Sequence, residues 1–112
     1  MELFEKKCVA CEGGVGALSV LESRTLLKKL QNWKMSNDHK KIAKIFQFKN
    51  YYQTMAFVNA VAWISHSENH HPDLLVGYNA CRVSYTTHDT GGLTDKDFLC
   101  AAKVAALTKN PS

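Results

Sequence analysis

The densest run of side chains able to do chemistry is His66-Ser67-Glu68-Asn69-His70-His71-Pro72-Asp73, with a further histidine downstream at His88. Neighbouring imidazoles suit proton transfer, because histidine titrates near neutrality and serves as acid or base at little cost in driving force. Pro72 disfavours a helical backbone at His71, so the His70 and His71 rings should leave a helix end in different directions. Three readings fit this spacing. General acid–base catalysis would use the imidazoles in a cleft. A metal site would use His66 and His70 at helical spacing, with His88 or a carboxylate as third ligand. A structural reading makes His70 a helix C-cap favoured by the helix dipole and His71 a surface residue before a turn.

Asp97 is the carboxylate of interest. It stands at the third position of a helix opened by Thr94-Asp95-Lys96-Asp97, where an acid is expected for local capping alone. It also follows His88 across the Gly91-Gly92 turn and could orient or charge-stabilise that imidazole. No serine or cysteine occupies a recognisable nucleophile motif. Of four cysteines, Cys8 and Cys11 have the spacing of half a zinc ribbon or of a redox dithiol, but no second pair completes it. Cys81 and Cys100 fall in strand and helix patterns, where cysteine behaves as a small core hydrophobe. Reduced thiols are expected.

The elements that must position these groups follow from local signals. Residues 1–18 read as an irregular leader. Ser19-Val20-Leu21-Glu22 is a capping box that opens a helix near 20–31. Trp33-Lys34-Met35 and residues 41–48 read as a hairpin, with Asn37-Asp38-His39 as the turn and His39 exposed in it. Asn50 caps a long helix near 50–67, apolar around most of its circumference and therefore expected to be central. Its polar seam is Tyr52, Asn59 and His66, which puts His66 on an edge facing water or a cleft. Asn79 to His88 alternates as a half-buried strand, Cys81, Val83, Tyr85 and Thr87 sharing one side, with His88 at the exit. A last helix carries Phe98, Leu99, Ala102 and Leu107. The order helix, hairpin, long helix, strand, helix predicts an α+β fold, with helices on one face of a mainly antiparallel sheet whose other face and edges stay free.

Composition bounds the rest. The chain has 112 residues, 46% of them hydrophobic, and a formal charge of +4, which predicts one domain over 1–112. No apolar run approaches the ~20 residues that span a bilayer, and no secretory signal is visible, so the cytoplasm is expected. The basic excess, much of it between Lys28 and Lys49, lacks base-stacking aromatics or a reading helix and is read as a solvated surface; no direct nucleic-acid binding is expected.

The ordered set Glu68-Asn69-His70-His71-Pro72-Asp73, Gly77-Tyr78-Asn79, Thr86-Thr87-His88, Gly91-Gly92-Leu93-Thr94 and Asp97-Phe98 resembles the pterin-4a-carbinolamine dehydratase family, in its bacterial branch. Phe46-Gln47-Phe48-Lys49-Asn50-Tyr51 and Phe57-Val58-Asn59-Ala60-Val61-Ala62 extend the likeness to roughly residues 3–107. The resemblance implies a lyase that dehydrates 4a-hydroxytetrahydrobiopterin to quinonoid dihydropterin, recycling the pterin after aromatic amino acid hydroxylation, with a functional link to phenylalanine hydroxylase. It implies no metal and no organic cofactor. It implies His70, His71 and His88 as catalytic residues, with His70 and His88 as the acid–base pair and His71 orienting the ring or the hydroxyl. His70, His71, Pro72, Thr87, His88, Asp89 and Thr90 would wall the pterin, and Asp97 would support the site. It further implies a homodimer or homotetramer; vertebrate members also bind a homeodomain transcription factor. His66 departs from mammalian members, which carry a glutamate there, and Glu68 is the nearest carboxylate in sequence. The expected architecture is a single α+β domain with an antiparallel four-stranded sheet and three helices packed on one face.

Overall fold

The computed structural model describes residues 17–108. Its elements are α1 (Val20–Leu27), β1 (Lys34–Met35), β2 (Ile42–Gln47), α2 (Tyr51–Glu68), β3 (Asp73–Val76), β4 (Ala80–Tyr85) and α3 (Asp95–Leu107), with a short 3-10 turn at His88–Thr90 before α3. The strands form one antiparallel sheet in the order β1-β2-β4-β3. This is the expected α+β arrangement of four strands and three helices.

Register decides the two faces of the sheet. Ile42 pairs with Tyr85, Lys44 with Val83 and Phe46 with Cys81, and the apolar members of this set are buried beneath the helices. The alternate set, including Ile45 opposite Arg82 and Arg82 opposite Leu75, points away; Ile45 is 60% and Leu75 69% exposed. The core joins that inner face to Phe57 and Val61 of α2 and to Phe98, Cys100, Ala101 and Val104 of α3, with Trp33 at its β1 end. Leu26 and Leu27 of α1 pack against the same core.

Helix α1 opens on the expected capping box, Ser19 N donating to Glu22 Oε1 at 2.8 Å and Glu22 N to Ser19 Oγ at 3.1 Å. It ends at Leu27, short of residue 31, and residues 28–30 continue as turns. His39 lies in the hairpin turn as expected but is half-buried, and it adopts a left-handed backbone with φ 61°. The long helix is not buried all round. Thr54, Phe57 and Val61 are its buried residues, because a helix lying on one face of a sheet covers only the stripe at i, i+3 and i+7. Tyr52, Asn59 and His66, the predicted seam, are exposed.

The linear pattern of the chain suggested no separate strand between the long helix and Asn79. Strand β3 is four residues long and begins directly after Pro72, too short for alternation to register, and it is an edge strand held by β4 alone. Cys81 and Cys100 are buried free thiols, in the core roles expected of them. Burial pushes both thiols up, Cys100 to about 12 with help from the charges of Glu68 and Asp97. Cys8, Cys11 and most of the leader lie outside the described residues.

Candidate active site

The site is built where α2 ends, β4 ends and α3 begins. Helix α2 stops because Asn69 takes a left-handed conformation, φ 53° and ψ 44°. Asn69 N then donates to His66 O at 3.3 Å and His70 N to Ser65 O at 3.1 Å, the paired bonds of a Schellman ending. His70 thus does cap the helix, through its backbone. Its ring is free to turn towards α3, and the next residue turns away: the His70 side chain is 14% exposed, while His71 is exposed. Divergence of the two rings is what Pro72 predicts.

Asp97 is the anchor. It is fully buried, and a buried carboxylate demands hydrogen-bond donors. Oδ1 lies 2.6 Å from His70 Nε2. Oδ2 accepts from Thr87 Oγ1 at 2.7 Å and from Thr94 N at 2.9 Å. The last bond belongs to the capping box of α3, so the local capping role and the site role coincide in one side chain. A carboxylate accepts only, so His70 Nε2–H donates to Asp97 Oδ1, and Nδ1 is the ring nitrogen left for other chemistry. The carboxylate thereby sets the tautomer and the orientation of the imidazole.

The anticipated pairing of Asp97 with His88 is not made; Asp97 pairs with His70. Spacing along the chain favoured His88, but the turn at Gly91, φ 73°, carries the His88–Thr90 segment outward and leaves His88 exposed. That segment is nevertheless tied to the site. Thr87 forms a β-bridge with Gly92, and Thr90 Oγ1 donates to Gly92 O at 3.0 Å, with Thr87 O sharing the same proton at 3.3 Å. Asp97 therefore links the segment carrying His70 and His71 to the one carrying Thr87, His88, Asp89 and Thr90. Pro72 is half-buried and Asp89 exposed at the two ends of this region.

Tyr85 was not expected to take part. It is fully buried at the end of β4, and its ring stacks on that of His70, centroids 5.7 Å apart and planes inclined 16°. Its position on the inward side of the strand was readable; the partner across 15 residues of chain was not. Burial first, then the neighbouring Cys100 and Asp97, push the Tyr85 phenol well above its usual range, so it stays neutral.

The remaining candidates have other partners. His66 is exposed with its ring 5.6 Å from that of Trp63. Glu68 Oε2 pairs with Lys103 Nζ at 2.5 Å, joining α2 to α3. Among the described residues, no group of three or more His, Cys, Asp or Glu side chains is arranged to hold a metal ion, and no helix is long and apolar enough to cross a membrane.

Comparison with known proteins identifies the family of the chain. The Pterin 4 alpha carbinolamine dehydratase family matches residues 16–107. A Nitrosomonas eutropha protein named "Putative pterin-4-alpha-carbinolamine dehydratase" is 59% identical over 107 residues, covering 95% of this chain and 93% of its own. A Legionella pneumophila (strain Corby) protein of the same name is 51% identical over 107 residues, with 95% of each chain covered. Among solved structures, a transcriptional coactivator/pterin dehydratase from Brucella melitensis superposes with a TM-score of 0.79 at 27% identity, over 82% of this chain and 98% of that one. A pterin dehydratase-like protein identified as a RuBisCO assembly factor in the alpha-carboxysome superposes with a TM-score of 0.61 at 26% identity, over 71% and 93%. A match over nearly the whole described chain, with the sheet order and helix placement to go with it, leads to one conclusion: the chain belongs to the pterin 4 alpha carbinolamine dehydratase family.

Proposed function

We propose that the protein is a 4a-hydroxytetrahydrobiopterin dehydratase, converting the pterin carbinolamine to quinonoid dihydropterin and water by acid–base catalysis from histidines. The observation that carries this reading is the buried Asp97 carboxylate holding the half-buried His70 by Nε2 at 2.6 Å, which leaves Nδ1 as the ring's free nitrogen. Loss of water needs a proton delivered to the departing 4a-hydroxyl and one removed from ring nitrogen N5. Imidazoles serve both transfers near neutral pH. In this reading His70 and His88 are the acid–base pair, and His71 orients the ring or the hydroxyl. Proton transfer alone carries the reaction, with no metal or organic cofactor. The substrate would come from a pterin-dependent aromatic amino acid hydroxylase such as phenylalanine hydroxylase, in the cytoplasm.

The test generates the carbinolamine with a phenylalanine hydroxylase and follows its decay. Wild-type protein should accelerate decay over solvent, and a His70→Ala plus His88→Ala double variant should lose ~10² to 10⁴ of that rate. No acceleration by wild type, or full activity in the double variant, would refute the assignment.

A homodimer or homotetramer forms the second part of the proposal. Helix α2 exposes Tyr52 and Trp63 along one side, 80% and 69% accessible, beside Asn59 and His66, and two large exposed rings on one helix face favour a second copy of the chain. Trp63→Ala should lower the solution mass measured by sedimentation; an unchanged mass would remove α2 from the interface.

A further inference from the structure

Thr87 stands among the residues the family resemblance assigns to pterin contact, yet its hydroxyl is already engaged. A threonine hydroxyl has one proton to donate. Here Oγ1 donates it to Asp97 Oδ2 at 2.7 Å, a short charge-assisted bond to a carboxylate that is fully buried. Thr94 Oγ1 lies 3.0 Å from the same oxygen, and with the Thr87 proton committed to Asp97, Thr94 is the donor of that bond. Nothing remains on the Thr87 hydroxyl to donate to a ligand. Its carbonyl is engaged too: Thr87 O accepts from Gly92 N at 3.3 Å and lies 3.3 Å from Thr90 Oγ1.

Resting on the dehydratase reading, we propose that Thr87 is a positioning residue that acts through Asp97: its hydroxyl sets the rotation of the carboxylate, and hence the direction of His70 Nδ1, while its backbone anchors the His88–Gly92 turn. A carboxylate at the third position of a helix can swing about its last bond while still accepting from Thr94 N. Thr94 N and Thr87 Oγ1 both hold Oδ2 while His70 holds Oδ1, so the Thr87 bond tightens a rotation that the capping bond alone restrains less. Loss of the Thr87 donor leaves Oδ2 one partner short and lets the His70 ring drift with it. Thr87 also ends the chain of residues leading from β4 into the His88 turn. One residue therefore links the placement of His70, through its side chain, to that of the turn carrying His88, through its backbone, and small errors in placing two groups that must act on a single pterin are costly to rate.

The experiment compares Thr87→Val, which keeps the shape and removes the donor, with Thr87→Ser, which restores it, each alone and in an Asp97→Asn background. Positioning predicts that Thr87→Val lowers kcat about tenfold with KM unchanged, that Thr87→Ser recovers most of the loss, and that Thr87→Val has no further effect once Asp97 is Asn. A raised KM with unchanged kcat would instead make Thr87 a substrate contact and overturn the proposal, as would additive losses in the double variant. Nitrogen-15 spectra of the His70 ring give a readout independent of turnover. The wild type should show one tautomer with the proton on Nε2, and Thr87→Val a mixture; identical spectra overturn the inference even if the wild type proves inactive, an outcome that would by itself sink only the dehydratase reading. Thr87→Ala serves for the same measurements if the valine variant does not fold.

Discussion

Tyr85 lies flat against the imidazole of His70, ring centroids 5.7 Å apart and planes 16° from parallel, at right angles in function to the bond that His70 makes with Asp97. The hydrogen bond holds one ring nitrogen in place; the stacked phenol holds the plane of the ring. The Trp33 ring lies beside the phenol ring in the core, centroids 6.3 Å apart. An imidazole restrained in both senses keeps its free nitrogen in one direction, which is the preorganisation that proton transfer requires.

The Tyr85 hydroxyl contributes nothing visible to this. It is buried and makes no hydrogen bond of good geometry; the Ser65 hydroxyl, which donates its own proton to Val61 O at 2.8 Å, lies beside it as at most a weak acceptor. Leaving a buried polar group unpaired costs about 1–3 kcal/mol, so Tyr85→Phe should keep activity and leave stability level or raised. Urea unfolding checks it, and a loss above about 1 kcal/mol would mean the hydroxyl has a partner. Tyr85→Ala should lose both stability, by about 3–5 kcal/mol, and the orientation of His70.

Asp97→Asn tests the carboxylate itself. An amide still accepts from Thr94 N, so α3 keeps its cap, but it cannot accept from His70 and Thr87 on both arms. The expected result is a fold retained by circular dichroism and a dehydratase rate reduced by about 10²-fold. Retention of the wild-type rate would mean that His70 needs no fixed tautomer.

Glu68 should be dispensable for chemistry. Its partner Lys103 is a third exposed, and such pairs contribute about 0.2–1 kcal/mol. Glu68→Gln should therefore cost a fraction of a kcal/mol in unfolding and leave the rate within about twofold of wild type. A large fall in kcat without a change in melting temperature would give Glu68 a place in the reaction.

Stability should fall at alkaline pH. Burial raises the Cys100 thiol from its ordinary value of 9.0 to about 12 and lifts Cys81 in the same direction. Between those two values of Cys100 the unfolded chain gives up a proton that the folded chain retains. The folded state then binds more protons, and stability declines as pH rises through that interval. Melting temperatures measured from pH 8 to 11 should drop, and the slope should flatten in Cys100→Ala. An identical slope in that variant would assign the decline to other groups.

Much of the site could be read from the linear chain, and the particular failures are informative. His70, His71 and His88 stood out by residue type, and Pro72 predicted that the first two rings part. Asp97 stood out by its place in a capping box, a local interaction three residues long. Its partner did not. Proximity along the chain favoured His88, and the bond goes to His70, 27 residues away. Tyr85 was legible as an inward-facing strand residue but not as the wall of an imidazole. Strand β3 escaped because an edge strand of four residues shows too little alternation to be distinguished from a turn.

The sequence by itself determined what is local: the caps at Ser19, Asn50 and Thr94, the periodic faces of helices and strands, the break at Pro72, and the membership of the family through motifs in order. The tertiary structure alone decided which carboxylate serves which imidazole, which hydroxyl is spent on holding it and which face of α2 is covered. The reason is that capping and periodicity act over three to seven residues, whereas the bonds to Asp97 depend on three chain segments being brought to one place by the burial of a shared core, and no pattern within any one of them records the others.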